Sequence, residues 1–296
     1  MTIFYKDRAS QKTLKEEVYF EGAIRFLYRN NLLCRTLLFL ICRFSFCSYL
    51  FGKLQRLPSS KKKIRPFVEN FHVDPSEFEK PLEAFTSFND FFIRELKKEA
   101  RPLSLAKALI PADGKYLVFD SLDAGTPFFI KKEWLNIDLL LKDDPKATLF
   151  QNGASCVLAR LTPKDCHRYY FPVSGAPSAP SLIKGPLYSV SPIATRTQPS
   201  IFSQNKRTLV HIDSPLFGTV SMITIGATNV GSIHETFQPN QFYEKGDEKG
   251  YFSFGGSSII LLFEKGRIQF DEDLIKASKE GLETQCLIGQ SLGNSV

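Results

Sequence analysis

The stretch "KGDEKGYFSFGGSSIILLFEKG", Lys245 to Gly266, decides how this chain is read. It runs an aromatic, β-prone segment into an aliphatic one, and Gly255, Gly256, Ser257 and Ser258 stand at the junction. Glycine weakens a strand, so its presence there marks a bulge, a close approach of backbone, or a reactive bond. The two glycines remove side chains that would shield the carbonyl before Ser257, and they permit backbone angles closed to other residues. A hydroxyl beside an exposed, strained carbonyl attacks it when a base takes the proton. The phosphate-cradling loop pattern and the G-x-S-x-G hydrolase elbow are both absent. The tetrapeptide alone favours the bulge.

Working outward, short apolar runs separated by Gly, Pro, Asn and Asp predict strands in "KYLVF", "PFFI", "SCVLARL", "LYSV", "TLVHI", "GTVSMITIG" and "SSIILLF". "KKEWLNIDLLLKDD" interrupts them as a helical segment. Phe85, Phe88, Phe92 and Leu96 recur at helical spacing before Pro102, with Thr86 and Ser87 as possible caps. Residues after Asp271 read as a loosely ordered tail. The fold class is therefore α+β: N-terminal helices followed by a mostly antiparallel β catalytic domain.

The net charge of +7 is unevenly placed. Through Pro66 there are 14 Lys and Arg against 4 Asp and Glu, and beyond it 24 against 27. All the excess positive charge accompanies the most hydrophobic window, "LLCRTLLFLICRFSFCSYLFG", Leu32 to Gly52. Arg35 and Arg43 interrupt that window, each costing roughly 2.5 to 3.5 kcal/mol at the centre of a bilayer. A helix lying in the interface is favoured over a spanning one. As a single helix from Ala23 to Gly52, the segment places Arg25, Arg29, Arg35 and Arg43 within an arc of about 120°. The polybasic "SSKKKIRP" that follows suits anionic head groups. Residues 1–66 are thus expected to form a basic amphipathic membrane-associating helical segment, and 67–296 the catalytic domain. A nucleic-acid binder would spread its cations over the folded domain. The six cysteines, including Cys34, Cys42 and Cys47 in one apolar run, show neither a disulfide framework nor a zinc site.

Two further stretches hold candidates for chemistry. In "IPADGKY", Asp113 precedes Gly114, a common turn pair. In "RLTPKDCHRYYFPVSG", His167 sits in a proline-bounded loop, suited to exchange a proton near neutral pH. His72, His211 and His234 read as structural or exposed, and no two histidines have metal-ligand spacing.

Taken together with "FTSFNDFFIRELKKEARPL", "GPLYSVSP" and "GATNVGSI", these stretches, in this order, resemble the phosphatidylserine decarboxylases, self-processing pyruvoyl enzymes. The resemblance covers most of the chain after Phe85, and its Gly-Ser bond falls at Gly256–Ser257. It implies that Ser257 Oγ attacks the Gly256 carbonyl. β-Elimination then leaves a β chain 1–256 and an α chain 257–296, whose Ser257 becomes a pyruvoyl group. That ketone would form a Schiff base with phosphatidylserine, giving phosphatidylethanolamine and CO2 without a metal or pyridoxal phosphate. The resemblance also implies an Asp-His-Ser triad, with Asp113 matching the family aspartate. Where many relatives carry D-Y-H-x-x-H, this chain reads "DCHRYY", so Tyr170 replaces the second histidine and His167 alone remains, a shared base for cleavage and decarboxylation. Ser258 stands for the more frequent Thr. The implied partners are phosphatidylserine and an anionic membrane surface, the implied assembly a heterodimer of α and β chains, and the implied location the cytoplasmic face of the cell membrane. The alternatives are a lipid-acting serine hydrolase and a non-enzymatic membrane-anchored β module, both with an uncut chain.

Overall fold

A computed structural model describes residues 2–43, 45–122, 137–198, 200–228, 232–253, 255 and 257–296, without the side chains of 45–49. The strands are β1 (Phe4–Asp7), β2 (Thr13–Lys15), β3 (Ala108–Leu109), β4 (Gly114–Phe119), β5 (Ser155–Leu161), β6 (Arg168–Tyr170), β7 (Ala176–Pro177) and β8 (Ser181–Ile183). They continue with β9 (Arg207–Ser214), β10 (Gly218–Gly226), β11 (Ile233–Glu235), β12 (Glu248–Phe252), β13 (Ser257–Phe263), β14 (Ile268–Phe270), β15 (Glu283–Cys286) and β16 (Ser291–Ser295). Ten of them form one sheet in the order β2-β1-β15-β4-β5-β13-β10-β9-β7, with β8 also on β9. Only the β1–β15 pairing in it is parallel. Two three-stranded sheets complete the β structure, β11-β12-β6 and β14-β16-β3.

The apolar run "SSIILLF" is β13, paired on both sides and buried throughout. Ile259, Leu261 and Phe263 enter one core with Val157, Ala159 and Met222, while Ile260 and Leu262 enter a second with Leu158 and Ile223. Burial of both faces is why its sequence is continuous rather than alternating. The small sheet carrying Tyr169 and Phe252 packs on the Ile259 side.

Several sequence expectations are corrected. The tail after Asp271 is ordered: helix Glu272–Lys279 is followed by β15, between β1 and β4, and by β16, between β14 and β3. The N-terminal segment is not helical throughout, because residues 4–15 supply the edge strand β2 and its neighbour β1. The single helix from Ala23 to Gly52 is replaced by helices Glu21–Leu27, Leu32–Arg43 and Ser45–Arg56, so the four arginines do not share one helix face. No described helix is long and apolar enough to cross a membrane. Phe88 and Phe92 lie in a short helix, Phe88–Phe92, capped by Ser87, whose hydroxyl accepts from the Asp90 N–H. Leu96 falls beyond it in a bridge to Phe78. Phenylalanine-on-phenylalanine packing of Phe67, Phe78, Phe85 and Phe91, not a long amphipathic helix, holds this region. "LYSV" forms no strand, "PFFI" lies outside the described residues, and of "KKEWLNIDLLLKDD" the helix spans Ile137–Leu141.

Candidate active site

Three strand ends meet where the candidate residues lie. Ser257, the first residue of β13, stands opposite Leu161 of β5 and Gly226 of β10. Gly114 begins β4 opposite Cys286 of β15, and a Cβ on it would come within 2.9 Å of the Arg160 carbonyl oxygen. Asp113, one residue earlier, is thereby held at the same end of the sheet. His167 precedes β6, and its carbonyl accepts from the Phe252 N–H at 2.9 Å, at the end of β12. Gly255 lies in the turn from β12 to β13 with φ 136°, a conformation that favours glycine. Gly256 lies outside the described residues.

The His167 ring is fully buried and stacks on Phe92, centroids 3.8 Å apart. Its Nδ1 is 2.9 Å from the main-chain oxygen of Asp165. A carbonyl can only accept, so Nδ1 carries the proton and Nε2 of the neutral ring is a bare lone pair. Burial pulls the ring's pKa down to about 3, against the opposing influence of Asp165 and the nearby Gly255 backbone. Among the described residues Nε2 has no hydrogen-bond partner, and neither do the buried hydroxyls of Ser257 and Ser258. Buried polar groups are normally satisfied, so an acceptor and a hydroxyl left open beside one turn call for an explanation. Successive residues of a strand face opposite sides. Ser257 shares the side of Ile259, where the sheet following His167 packs, and Ser258 shares the side of Ile260.

Asp113 is not joined to His167. Its carboxylate takes the Arg101 guanidinium in a fork, Nε to Oδ1 at 3.0 Å and Nη2 to Oδ2 at 2.8 Å, and Oδ1 also accepts from the Ile288 N–H at 2.8 Å. Burial pushes this carboxyl up, and Arg101 pulls it back. Arg101 is held in turn by both oxygens of Glu77 at 2.9 Å. The Tyr170 N–H donates to the Pro111 oxygen at 2.8 Å, so the position at which the resembled family carries its second histidine lies beside the Asp113 loop. Arg101, Phe92 and the Asp165 carbonyl were not legible in the sequence. Their contacts span 12, 75 and 2 positions, and only the last is local.

The remaining histidines sit elsewhere. His211 bridges Ser221 Oγ at 2.8 Å and Asp144 Oδ1 at 3.0 Å, and His234 Nε2 meets Ser253 Oγ at 3.0 Å. Cys34, Cys42, Cys156, Cys166 and Cys286 are buried free thiols. Among the described residues no group of three or more His, Cys, Asp or Glu side chains is placed to hold a metal ion.

Residues 88–294 match the family described as phosphatidylserine decarboxylase. A phosphatidylserine decarboxylase proenzyme of Chlamydia pneumoniae is 43% identical over 293 residues, 98% of this chain and 97% of that one. The protein of the same name from Chlamydia muridarum is 45% identical over 98% of this chain and 96% of its own. Among solved structures, a glucose permease IIA from Mycoplasma capricolum covers 64% of this chain and 94% of its own at 13% identity, with a TM-score of 0.29. The chain belongs to the phosphatidylserine decarboxylase family.

Proposed function

We propose that this member of the phosphatidylserine decarboxylase family is made as a precursor, cuts itself between Gly256 and Ser257, and then converts phosphatidylserine to phosphatidylethanolamine and CO2. The two chlamydial relatives, named phosphatidylserine decarboxylase proenzymes, support the reading. The observation that carries it in this chain is the pair of open, buried atoms beside one glycine turn, His167 Nε2 and Ser257 Oγ.

The neutral His167 is a base across the physiological range, because burial keeps it unprotonated far below neutrality. The Asp165 carbonyl fixes its tautomer, so no carboxylate is needed to orient it. Nε2 takes the Ser257 Oγ proton as Oγ bonds to the Gly256 carbonyl carbon. The C–N bond of that peptide then breaks and the Ser257 nitrogen receives a proton, leaving an ester. Loss of the Ser257 Cα proton expels the Gly256 carboxylate and leaves dehydroalanine. Its imine tautomer takes up water, releases ammonia and becomes the pyruvoyl group. Once made, the group's carbonyl supplies the electron sink for loss of CO2. His167, beside it, is placed to return the proton to the α-carbon. Asp113, locked by Arg101 and the Ile288 N–H, acts as a positioning residue that ties the β chain to the α chain across the cut.

The two chains form a heterodimer that stays together, because α-chain strands lie between β-chain strands: β13 between β5 and β10, β15 between β1 and β4. The enzyme works at the cytoplasmic face of the membrane. Helix Leu32–Arg43 buries Cys34, Leu38 and Cys42 and turns Leu33, Leu37 and Leu40 outward, next to exposed Arg35 and Arg43. An apolar face rimmed by cations suits an anionic bilayer. Intact mass of the purified protein under denaturing conditions, together with CO2 release from serine-labelled phosphatidylserine, tests the whole. Two fragments meeting at Gly256 and position 257, the smaller one pyruvoyl-blocked, are expected. A single chain of full mass overturns the reading.

A further inference from the structure

A cavity of about 200 Å³ separates the N-terminal segment from the site. Ala23, Ile24 and Tyr28 form one side, and Thr162, Ala227 and Gly255 the other. It therefore reaches the turn that carries Ser257. Its volume lies below the roughly 300 to 1,000 Å³ of pockets for drug-sized ligands, room for a head group but not for two acyl chains.

What holds the N-terminal wall in place is buried charge. Glu16, itself in the lining of the cavity, is almost fully buried and grips Arg160 with both oxygens, at 2.9 and 2.7 Å. Arg160 also pairs with Glu283 of β15, and Lys115 lies 3.9 Å from Glu16. Arg160 is the strand partner of Ser258, so the latch is anchored one residue from the scissile bond. Arg160, in the body of the future β chain, thus joins that chain's own N-terminal segment, through Glu16, to the future α chain, through Glu283. A membrane anchor that served only to tether would need no buried ion cluster of this kind, whose desolvation is costly unless every charge is matched.

We propose that the Glu16–Arg160 latch makes the N-terminal segment a wall of the substrate cavity, so that Glu16 and Ile24 govern how the phosphatidylserine head group binds, apart from any contact with the bilayer. The inference rests on the function proposed above. Its test compares two substrates: monomeric dihexanoyl phosphatidylserine, which needs no membrane, and phosphatidylserine in vesicles with phosphatidylcholine. Ile24→Trp fills the cavity from the wall side. It is expected to cleave normally by intact mass and to raise KM for both substrates on the order of tenfold, with kcat little changed. Glu16→Gln, which adds no bulk, is the second variant. Its KM is expected to rise in the same direction for both substrates, with partial recovery in Glu16→Asp. Cleaved variants whose KM for the monomeric lipid equals that of the natural protein overturn the inference, whatever happens on vesicles. So does Ile24→Trp that remains uncut while Glu16→Gln leaves KM unchanged. Failure of the natural protein to cut itself or release CO2 would instead strike the function on which the inference stands.

Discussion

Ser257 and Ser258 are neighbours on β13, yet the two sides of the sheet they face are built on opposite rules. On the Ser257 side the groups about the turn are left open: a bare imidazole nitrogen and a hydroxyl, buried without partners. On the Ser258 side the hydroxyl also lacks a partner among the described residues, but the residue facing it, Arg160, is tied to Glu16 and Glu283 along both edges of its guanidinium. The comparison separates reactivity from rigidity. An unsatisfied buried group is unstable where it stands and gains from reacting, whereas a saturated ion cluster resists any change.

The sharpest way to break this contrast is to exchange the serines. Ser257→Ala is expected to stay at full mass with no CO2 release, and a cut chain would show that the open side is not the reactive one. His167→Gln should cleave slower by about 10²- to 10⁴-fold, the usual worth of a positioned base, read as the half-time of fragment appearance after synthesis. Normal cleavage would assign the base elsewhere, with His234 the next histidine to examine, since it meets Ser253 close to the turn.

On the saturated side the expected loss is stability. Arg160→Met leaves Glu283 without its ion-pair partner and Glu16 with Lys115 alone, and should cost about 3 to 5 kcal/mol in denaturant unfolding. A loss under about 1 kcal/mol would mean that the cluster relaxes to solvent, as surface pairs do. Acid distinguishes the two sides more gently. The folded His167 has a pKa of about 3 and an unfolded histidine one near 6.5, so between these values the unfolded chain binds the extra proton. The stability tied to this neutral ring is complete above about pH 6.5 and falls as the pH drops towards 3, by about 1.4 kcal/mol per pH unit. In an uncut Ser257→Ala background, His167→Gln should remove that slope between pH 6 and 5. An unchanged slope would place the sensitivity in other groups. The smallest effect belongs to Ser258→Ala, which is expected to cleave within a few-fold of the natural rate. A block there would erase the distinction between the two sides.

The same contrast explains what could be read in advance. β4, β5, β9, β10 and β13 were legible because each is a short apolar run bounded by Gly, Pro or a charged turn. β15 and β16, "ETQC" and "SLGNS", carry almost no apolar signal, and their partners β1, β4 and β3 lie far away in sequence, so they passed for a tail. Ser257 and His167 stood out by residue type and motif. Glu16, Lys115 and Arg160 did not, because single charges in ordinary strand contexts give no hint that the fold will bring them together and bury them. The basic N-terminal half was recognisable from its composition. Its division into helices and the strands β1 and β2 depends on docking against β15 and the loop at Leu187, whose N–H donates to the Cys42 oxygen.

The position of β13, at the centre of a ten-stranded sheet, has a consequence for the life history of the molecule. Before the cut, folding is a first-order event within one polymer. With the chain cut as proposed, the boundary between the two pieces would be the hydrophobic core itself, so that no dissociation short of unfolding could part them, and dilution alone would not. Once denatured, however, a 40-residue strand-bearing fragment with an altered first residue must find its slot between β5 and β10 by bimolecular search. The mature protein is thus assembled once from its precursor, and its persistence is set by how slowly it opens rather than by how readily it could form again.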